Sequence, residues 1–181
     1  PSQFTEDADG IAYPTTFWEV VLAMVFQVAA CVTNAPLCVV ADAYKALAVF
    51  FNGLGESSIG LVTRLRHDAV GWDDPVYGGR GRPPVRGKKW KLAQSLQQLP
   101  HEAITATIYG KTVALAIVVR DLWLRDVKQK VRVVVVGTTS RPILLASSVL
   151  NLTAQEIVEI YAARFALETL IRDLKQHIGL G

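Results

Sequence analysis

The sequence predicts an α/β protein built on a mixed sheet, and three observations carry that prediction. The continuous apolar run "LCVVAD" (37–42) is followed by helix-spaced "AYKALAVFFNGLG" (43–55) and then by the strand pattern "SIGLVTRLRHDA" (58–69). That is one strand–helix–strand crossover unit. Four strand patterns crowd into residues 102–147, and a long helical pattern, 151–178, closes the chain. A crossover unit followed by antiparallel strands and a helix is the resulting architecture.

Taken in order, residues 1–14 are a loose, polar lead-in without a strand pattern. "FWEVVLAMVFQVAACV" (17–32) lies within a helix, 15–31, that Thr15-Thr16 opens and Thr33-Asn34 closes. It reads as a buried helix, because Glu19 and Gln27 interrupt it and it falls short of the roughly 18 clean apolar residues of a membrane span. The strand at 37–42 reads as buried, since it is apolar throughout. In the following helix, Tyr44, Leu47, Phe50 and Phe51 share one side, and Gly53 or Gly55 stops it. The strand at 58–69 turns polar at Arg64, Arg66 and Asp68. Residues 71–89 are a Gly- and Pro-rich loop and 91–99 a short helix. "EAITATIYGKTVALAIVVRDLWL" (102–124) is two strands joined near Gly110-Lys111, and "KVRVVVVGT" (130–138) and "RPILLAS" (141–147) are two more. Thr153 with Glu156 three residues later is a capping box that starts the final helix.

A chain of 181 residues, 51% hydrophobic and 19% charged, has material for one folded domain, 15–181, and its composition excludes disorder. The acids at Glu6, Asp7 and Asp9 are the wrong charge for a secretory leader. Cys31 and Cys38 sit in apolar contexts away from His67, His101 and His177, so they read as buried, reduced thiols of a cytosolic protein rather than metal ligands. The net charge of +3 is uneven: "GRGRPPVRGKKWK" (79–91) holds Arg80, Arg82, Arg86, Lys88, Lys89 and Lys91 with no acid. The other 13 basic residues face all 16 acidic ones. A local basic patch of this kind suits a polyanionic partner.

Two acids stand out. Asp42 ends a strand and precedes a helix, which is where open α/β sheets place ligand-binding groups and also where a helix N-cap belongs. Glu168 lies between Arg164 and Arg172, as in a surface ion-pair ladder. At about 100° per residue from Tyr161, Arg164 falls near 300°, Lys175 near 320° and Glu168 near 340°. Ile160, Ala163, Leu167, Leu170, Ile171, Leu174 and Ile178 fill roughly 180° to 280°, the arc expected to face the core. The polar stripe then borders the buried face, at a cleft edge. A carboxylate from a strand end and one from the covering helix can share Mg²⁺ or Mn²⁺, hard cations held by a few carboxylates plus water and phosphate oxygens. Such ions promote in-line phosphoryl transfer. Arg164 and Lys175 would then meet backbone phosphates, with Tyr161 stacking or hydrogen bonding.

The spacing in "YAARFALETLIRDLK" resembles the Tyr-Arg-Glu-Lys signature of DDE-type insertion-sequence transposases. "VVADAYKALAVFF", "GLVTRLRHDAVGWDDP" and "GRGRPPVRGKK" resemble the middle of the same enzymes, so the resemblance spans roughly residues 17–181. It implies an RNase H-like catalytic domain, with the strands of 102–147 as a β-rich insertion before the last helix. Asp42 and Glu168 would be the second and third metal-binding carboxylates. Tyr161, Arg164 and Lys175 would contact the DNA backbone. Mg²⁺ or Mn²⁺ is the implied cofactor, transposon-end and target DNA are the implied partners, and a homodimer at the nucleoid is compatible with it. Two departures matter. The family's first carboxylate sits on an upstream strand, and neither Asp7 nor Asp9 suits that place, so the expectation is a partial catalytic domain, inactive by itself. Where many relatives have Ser-Thr-Asp before the last helix, this chain has Ser147-Ser148-Val149, a local change. The alternative reading is a non-catalytic DNA-binding or self-associating remnant, with Glu168 structural.

Overall fold

A computed structural model of the chain describes residues 4–6, 12–14, 16–32, 34–42, 47–79, 81–137 and 141–178. A small antiparallel hairpin, β1 (Phe4–Glu6) with β2 (Ala12–Pro14), occupies the expected lead-in. Helix α1 (Phe17–Ala30) opens with a complete capping box, Thr16 Oγ1 accepting from Glu19 N and Glu19 Oε2 accepting from Thr16 N. Then come β3 (Cys38–Ala41), α2 (Leu47–Leu54), β4 (Gly60–Arg64), β5 (Val70–Trp72) and β6 (Lys89–Lys91). A single helical turn, α3 (Leu92–Ser95), runs into a 3₁₀ turn, Leu96–Gln98. Strands β7 (Glu102–Ile108), β8 (Lys111–Leu124), β9 (Lys130–Val136) and β10 (Ile143–Ser147) precede α4 (Ala154–Ile178).

Eight strands, β3 to β10, form one mixed sheet in the order β3-β4-β10-β9-β8-β5-β6, with β7 also paired to β8. Only β3 and β4 run parallel, around the α2 crossover; the other pairs are antiparallel. This mixed α/β architecture, with its crossover unit, antiparallel strands and closing helix, is consistent with an RNase H-like fold. The β7–β8 turn falls at Tyr109-Gly110, both with positive φ (53° and 73°), as a two-residue hairpin turn demands.

Alternation along the strands divides two cores. Leu61, Leu65, Val131, Val133, Val135, Leu144 and Ala146 pack toward α1, α2 and the α3 turn. Val62, Val134, Val136 and Leu145 pack toward Ile157, Val158 and Tyr161 of α4. Successive residues pointing to opposite covered faces explain why β9 reads as an unbroken apolar run. Phe51, Leu122 and Ile157 are each fully buried, and each contributes roughly 1.5–3 kcal/mol by leaving water. Helix α2 crosses α1 closely at Gly53, where an added Cβ would lie 2.6 Å from Leu22 Cδ1.

Several expectations are corrected. Helix α1 is not buried: Leu22 is its one buried residue, and Phe17, Met24 and Val28 are exposed, because it packs on α2 at one margin of the sheet. The β3 run is an edge strand and only half-buried, since apolar composition does not distinguish an edge from a centre. Cys31 and Cys38 are therefore exposed rather than buried. The loop at 71–89 begins and ends in short strands, β5 and β6. Tyr44 lies outside the described residues, as do Asp7 and Asp9. No helix among the described residues is long and apolar enough to cross a membrane.

Helix α4 begins as expected, with Thr153 Oγ1 accepting from Glu156 N and Glu156 Oε2 accepting from Thr153 N at 2.7 Å. That bond from the Thr153 backbone, with the Thr153 hydroxyl, holds the Glu156 carboxyl below its usual pKa. The buried face of α4 is rotated from the expected one. Ile157, Val158 and Tyr161 are buried and Phe165 is partly buried, whereas Ala163 is exposed. From Tyr161 at 0°, that arc runs from about 320° to about 60°. The stripe expected to border the core therefore lies over the sheet itself.

Candidate active site

Asp42 follows the last residue of β3. Val40, two residues earlier, packs toward α4, and the strand period of two sends Asp42 to the same face. Helix α4 is held over that face by Ile157, Val158 and Tyr161. Tyr161, 7% exposed, reaches back across 119 residues of sequence, its Oη donating to Asp42 Oδ1 at 3.2 Å. Burial raises the phenol's pKa, and the Asp42 carboxylate raises it further against a lowering effect of Arg164.

One turn on, Arg164 joins both acids. Its Nη2 lies 3.8 Å from Asp42 Oδ2, and its Nη1 pairs with Glu168 Oε1 at i,i+4. The guanidinium stacks over Phe165, 4.5 Å from the ring centroid, and lies 5.4 Å from that of Tyr161. Burial opposes its charge, but Tyr161, Glu168 and Asp42 outweigh that and its pKa is raised. Its Nε is buried without a hydrogen-bond partner among the described residues. The two carboxylates remain about half exposed, 49% and 54%. Arg172 pairs with Asp173 at 3.7 Å rather than completing a ladder with Glu168.

Asp42, Tyr161, Arg164 and Glu168 therefore meet at one place, from a strand end and a helix. Lys175 is on α4 about 10 Å further along the axis, and its side chain lies outside the described residues. Two solvent-reachable carboxylates offer hard oxygen donors, the chemistry that Mg²⁺ and Mn²⁺ take. No group of three His, Cys, Asp or Glu side chains able to hold a metal occurs among the described residues.

The basic segment is elsewhere. Strand β6 is the far edge of the sheet, six strand spacings from β3, or about 29 Å at roughly 4.8 Å per spacing. The loop between β5 and β6 is closed at its neck, where Asp73 N donates to Lys88 O at 3.0 Å and Gly87 N to Asp73 O at 3.1 Å. An added Cβ at Gly87 would lie 2.1 Å from Asp74 O, so only glycine fits there. Trp90 Nε1 donates to Asp73 Oδ2 and Trp123 Nε1 to Asp74 Oδ1, each at 2.8 Å.

Arg86 lies over the Trp72 ring at 4.3 Å, and Lys88 over Trp90 at 4.0 Å with Arg120 nearby at 5.1 Å. Arg82, Arg86, Lys88, Lys89 and Lys91 are all exposed; Arg80 lies outside the described residues. The tryptophan platforms were not read from the sequence, although the Lys-Trp-Lys triplet of β6 was the available signal. The structure thus unites the acids with Tyr161 and Arg164 and keeps the basic loop apart from them.

No curated protein matches this chain. Residues 6–117 match the family described as DDE superfamily endonuclease. That stretch contains Asp42 and the basic loop and ends before α4, so Glu168 and its helix stand on geometry and spacing alone. With well over half of its length matched, the chain belongs to the DDE superfamily endonucleases.

Proposed function

We propose that the chain carries part of the catalytic centre of an insertion-sequence transposase, an enzyme that cleaves and joins DNA strands with Mg²⁺ or Mn²⁺. Family membership supplies the coarser frame: a DNA substrate and divalent-metal chemistry. The observation that carries the finer reading is the convergence of Tyr161 and Arg164 on Asp42, with Arg164 also holding Glu168. A structural ladder along one helix needs no acid from a strand 119 residues away.

Asp42 and Glu168 fit a divalent cation as oxygen donors that solvent can reach, and they would be its ligands here. When bound, such an ion supplies Lewis-acid activation of the attacking water or 3′-hydroxyl and stabilises the oxygen that leaves phosphorus. Arg164 neutralises both acids and holds them together. Tyr161 fixes Asp42 from its buried side, as its raised pKa keeps the phenol a neutral donor. Tyr161, Arg164 and Lys175 are the residues assigned to the DNA backbone near this centre, and the basic loop to a more distant stretch of duplex. The β-rich strands of 102–147 are assigned as the insertion that links the two.

Nicking of supercoiled DNA with Mn²⁺ tests the reading, in this chain or in a longer polypeptide that contains it. Sites of this kind work as units in which loss of one carboxylate costs about as much as loss of all. Cleavage should therefore vanish in both Asp42→Asn and Glu168→Gln. Cleavage that survives Glu168→Gln would make the α4 stripe structural and favour a non-catalytic, DNA-binding role for it.

A further inference from the structure

Beside the Asp42 strand lies a second polar feature that neither the acids nor the basic loop uses. Ala41 of β3 pairs with Thr63 of β4, so Asp42 and Arg64 are the next positions on two parallel strands, about 4.8 Å apart in backbone. Val62 packs toward α4, and the period of two places Arg64 on that same face. Beyond Arg64 the chain stays pinned to β10, with Leu65 N donating to Leu144 O at 2.7 Å. His67 follows in the turn, and Arg141 and Pro142 lead into β10 from the other side.

Arg64, Leu65, His67, Arg141 and Pro142 line a half-open cavity of about 310 Å³. No acid lines it. The nearby Asp68 is already engaged by Arg66, with Nε 3.2 Å from Oδ1. Among the described residues, no hydrogen bond or ion pair engages the side chains of Arg64, His67 or Arg141. Two guanidinium groups and an imidazole that open on one concavity without a counter-charge repel one another, and an anion placed among them relieves that repulsion. The planar guanidinium fork matches a phosphate's oxygens two at a time. Leu65 and Pro142, both buried, form a rigid apolar floor.

We propose that this cavity seats a backbone phosphate of the DNA strand, next to the phosphate presented to Asp42 and Glu168. The assignment rests on the DNA-cleavage reading and adds to it a position. Arg64 and Arg141 are positioning residues: they set where the strand lies along the sheet edge and take no part in bond making.

The test uses the full chain, a 30-base-pair duplex and a titration of salt. In Arg64→Gln/Arg141→Gln the slope of log K against log salt should be shallower than wild type by about 1.8, at roughly 0.9 per lost phosphate contact. The Arg64→Lys/Arg141→Lys variant keeps the charges and should restore the slope. Both substituted positions are exposed, so both variants should melt like wild type. An unchanged slope in the Gln variant, with wild type binding duplex, overturns the seat and leaves the proposed function standing. A wild-type chain that binds no duplex at low salt overturns the proposed function and the seat with it. Calorimetry with inorganic phosphate separates the remaining source. Phosphate binding that the Gln variant loses while its duplex slope is unchanged would assign the cavity to a free anion and overturn the proposal.

Discussion

Replacing Arg164 with methionine removes the guanidinium but keeps an unbranched side chain over Phe165. Its effect on stability is a contest between four contributions. The contact with Asp42 at 3.8 Å gives about 1 kcal/mol at the dielectric of water, which is appropriate because Asp42 is half exposed. The i,i+4 pair with Glu168 adds about 0.3–0.5 kcal/mol. Cation–π contacts with Phe165 and Tyr161, at 4.5 and 5.4 Å, add about 1 kcal/mol together. Against these stands the buried, unpartnered Nε, which costs about 1–3 kcal/mol. The balance lies within about 1.5 kcal/mol of zero, so Arg164→Met should move Tm by less than about 6 °C. Its duplex affinity should nonetheless lose one phosphate contact, a salt slope shallower by about 0.9. Differential scanning calorimetry and a salt titration measure both. A Tm loss of 10 °C or more with an unchanged salt slope would refute the reasoning and make Arg164 a structural keystone.

Other outcomes follow from the same geometry. With two carboxylates as its protein ligands, Mn²⁺ should bind no more tightly than the millimolar range of weak oxygen-only sites; tight stoichiometric binding abolished by Asp42→Ala would reveal a third ligand. Neutralising Arg82, Lys89 and Lys91 should flatten the salt slope by up to about 2.7, and an unchanged slope would move the footprint off the β5–β6 loop. Gly87→Ala should open the neck of that loop and speed hydrogen exchange at Asp73 and Gly87, whose amides close it. The Asp74 carboxyl is held below its usual pKa by Lys130 and by the Trp123 indole. A depressed carboxyl stabilises the fold above the unfolded pKa near 4 and stops doing so as pH falls through the folded value. The melting temperature of Asp74→Asn should therefore fall less steeply between about pH 4 and pH 2 than that of wild type.

Much of the fold was legible because local chemistry and tertiary placement agreed. The Thr153–Glu156 box, the Gly110 turn and the apolar alternation of the β8–β10 region each state their structure within a few residues. Asp42 and Glu168 were legible as a pair, and the structure joins them through Arg164. The facing of α4 was not, because counting apolar residues over the whole helix weighted positions after Leu167, whereas the sheet is met through Ile157, Tyr161 and Phe165. The edge position of β3, and with it the exposure of Cys38, was hidden because an apolar strand carries no mark of how many neighbours it has. Arg64 was seen only as the start of polar territory. Its proximity to Arg141 depends on β10 returning beside β4, a pairing set by global topology.

The 119 residues between Asp42 and Tyr161 also order events in time. Closing a loop of that length costs about 4 kcal/mol of chain entropy by the (3/2)RT ln n rule, and the Tyr161–Asp42 bond alone is too weak to meet it. The intervening strands must pair first and carry α4 into place. During synthesis at about 5–20 residues per second, Asp42 leaves the ribosome roughly 6–24 seconds before its tyrosine partner. The β5–β6 hairpin with its basic loop is complete in that interval. A nascent chain can thus acquire its electrostatic attraction for polyanions while its two acids are still far apart, and the candidate centre is the last part of the molecule to assemble.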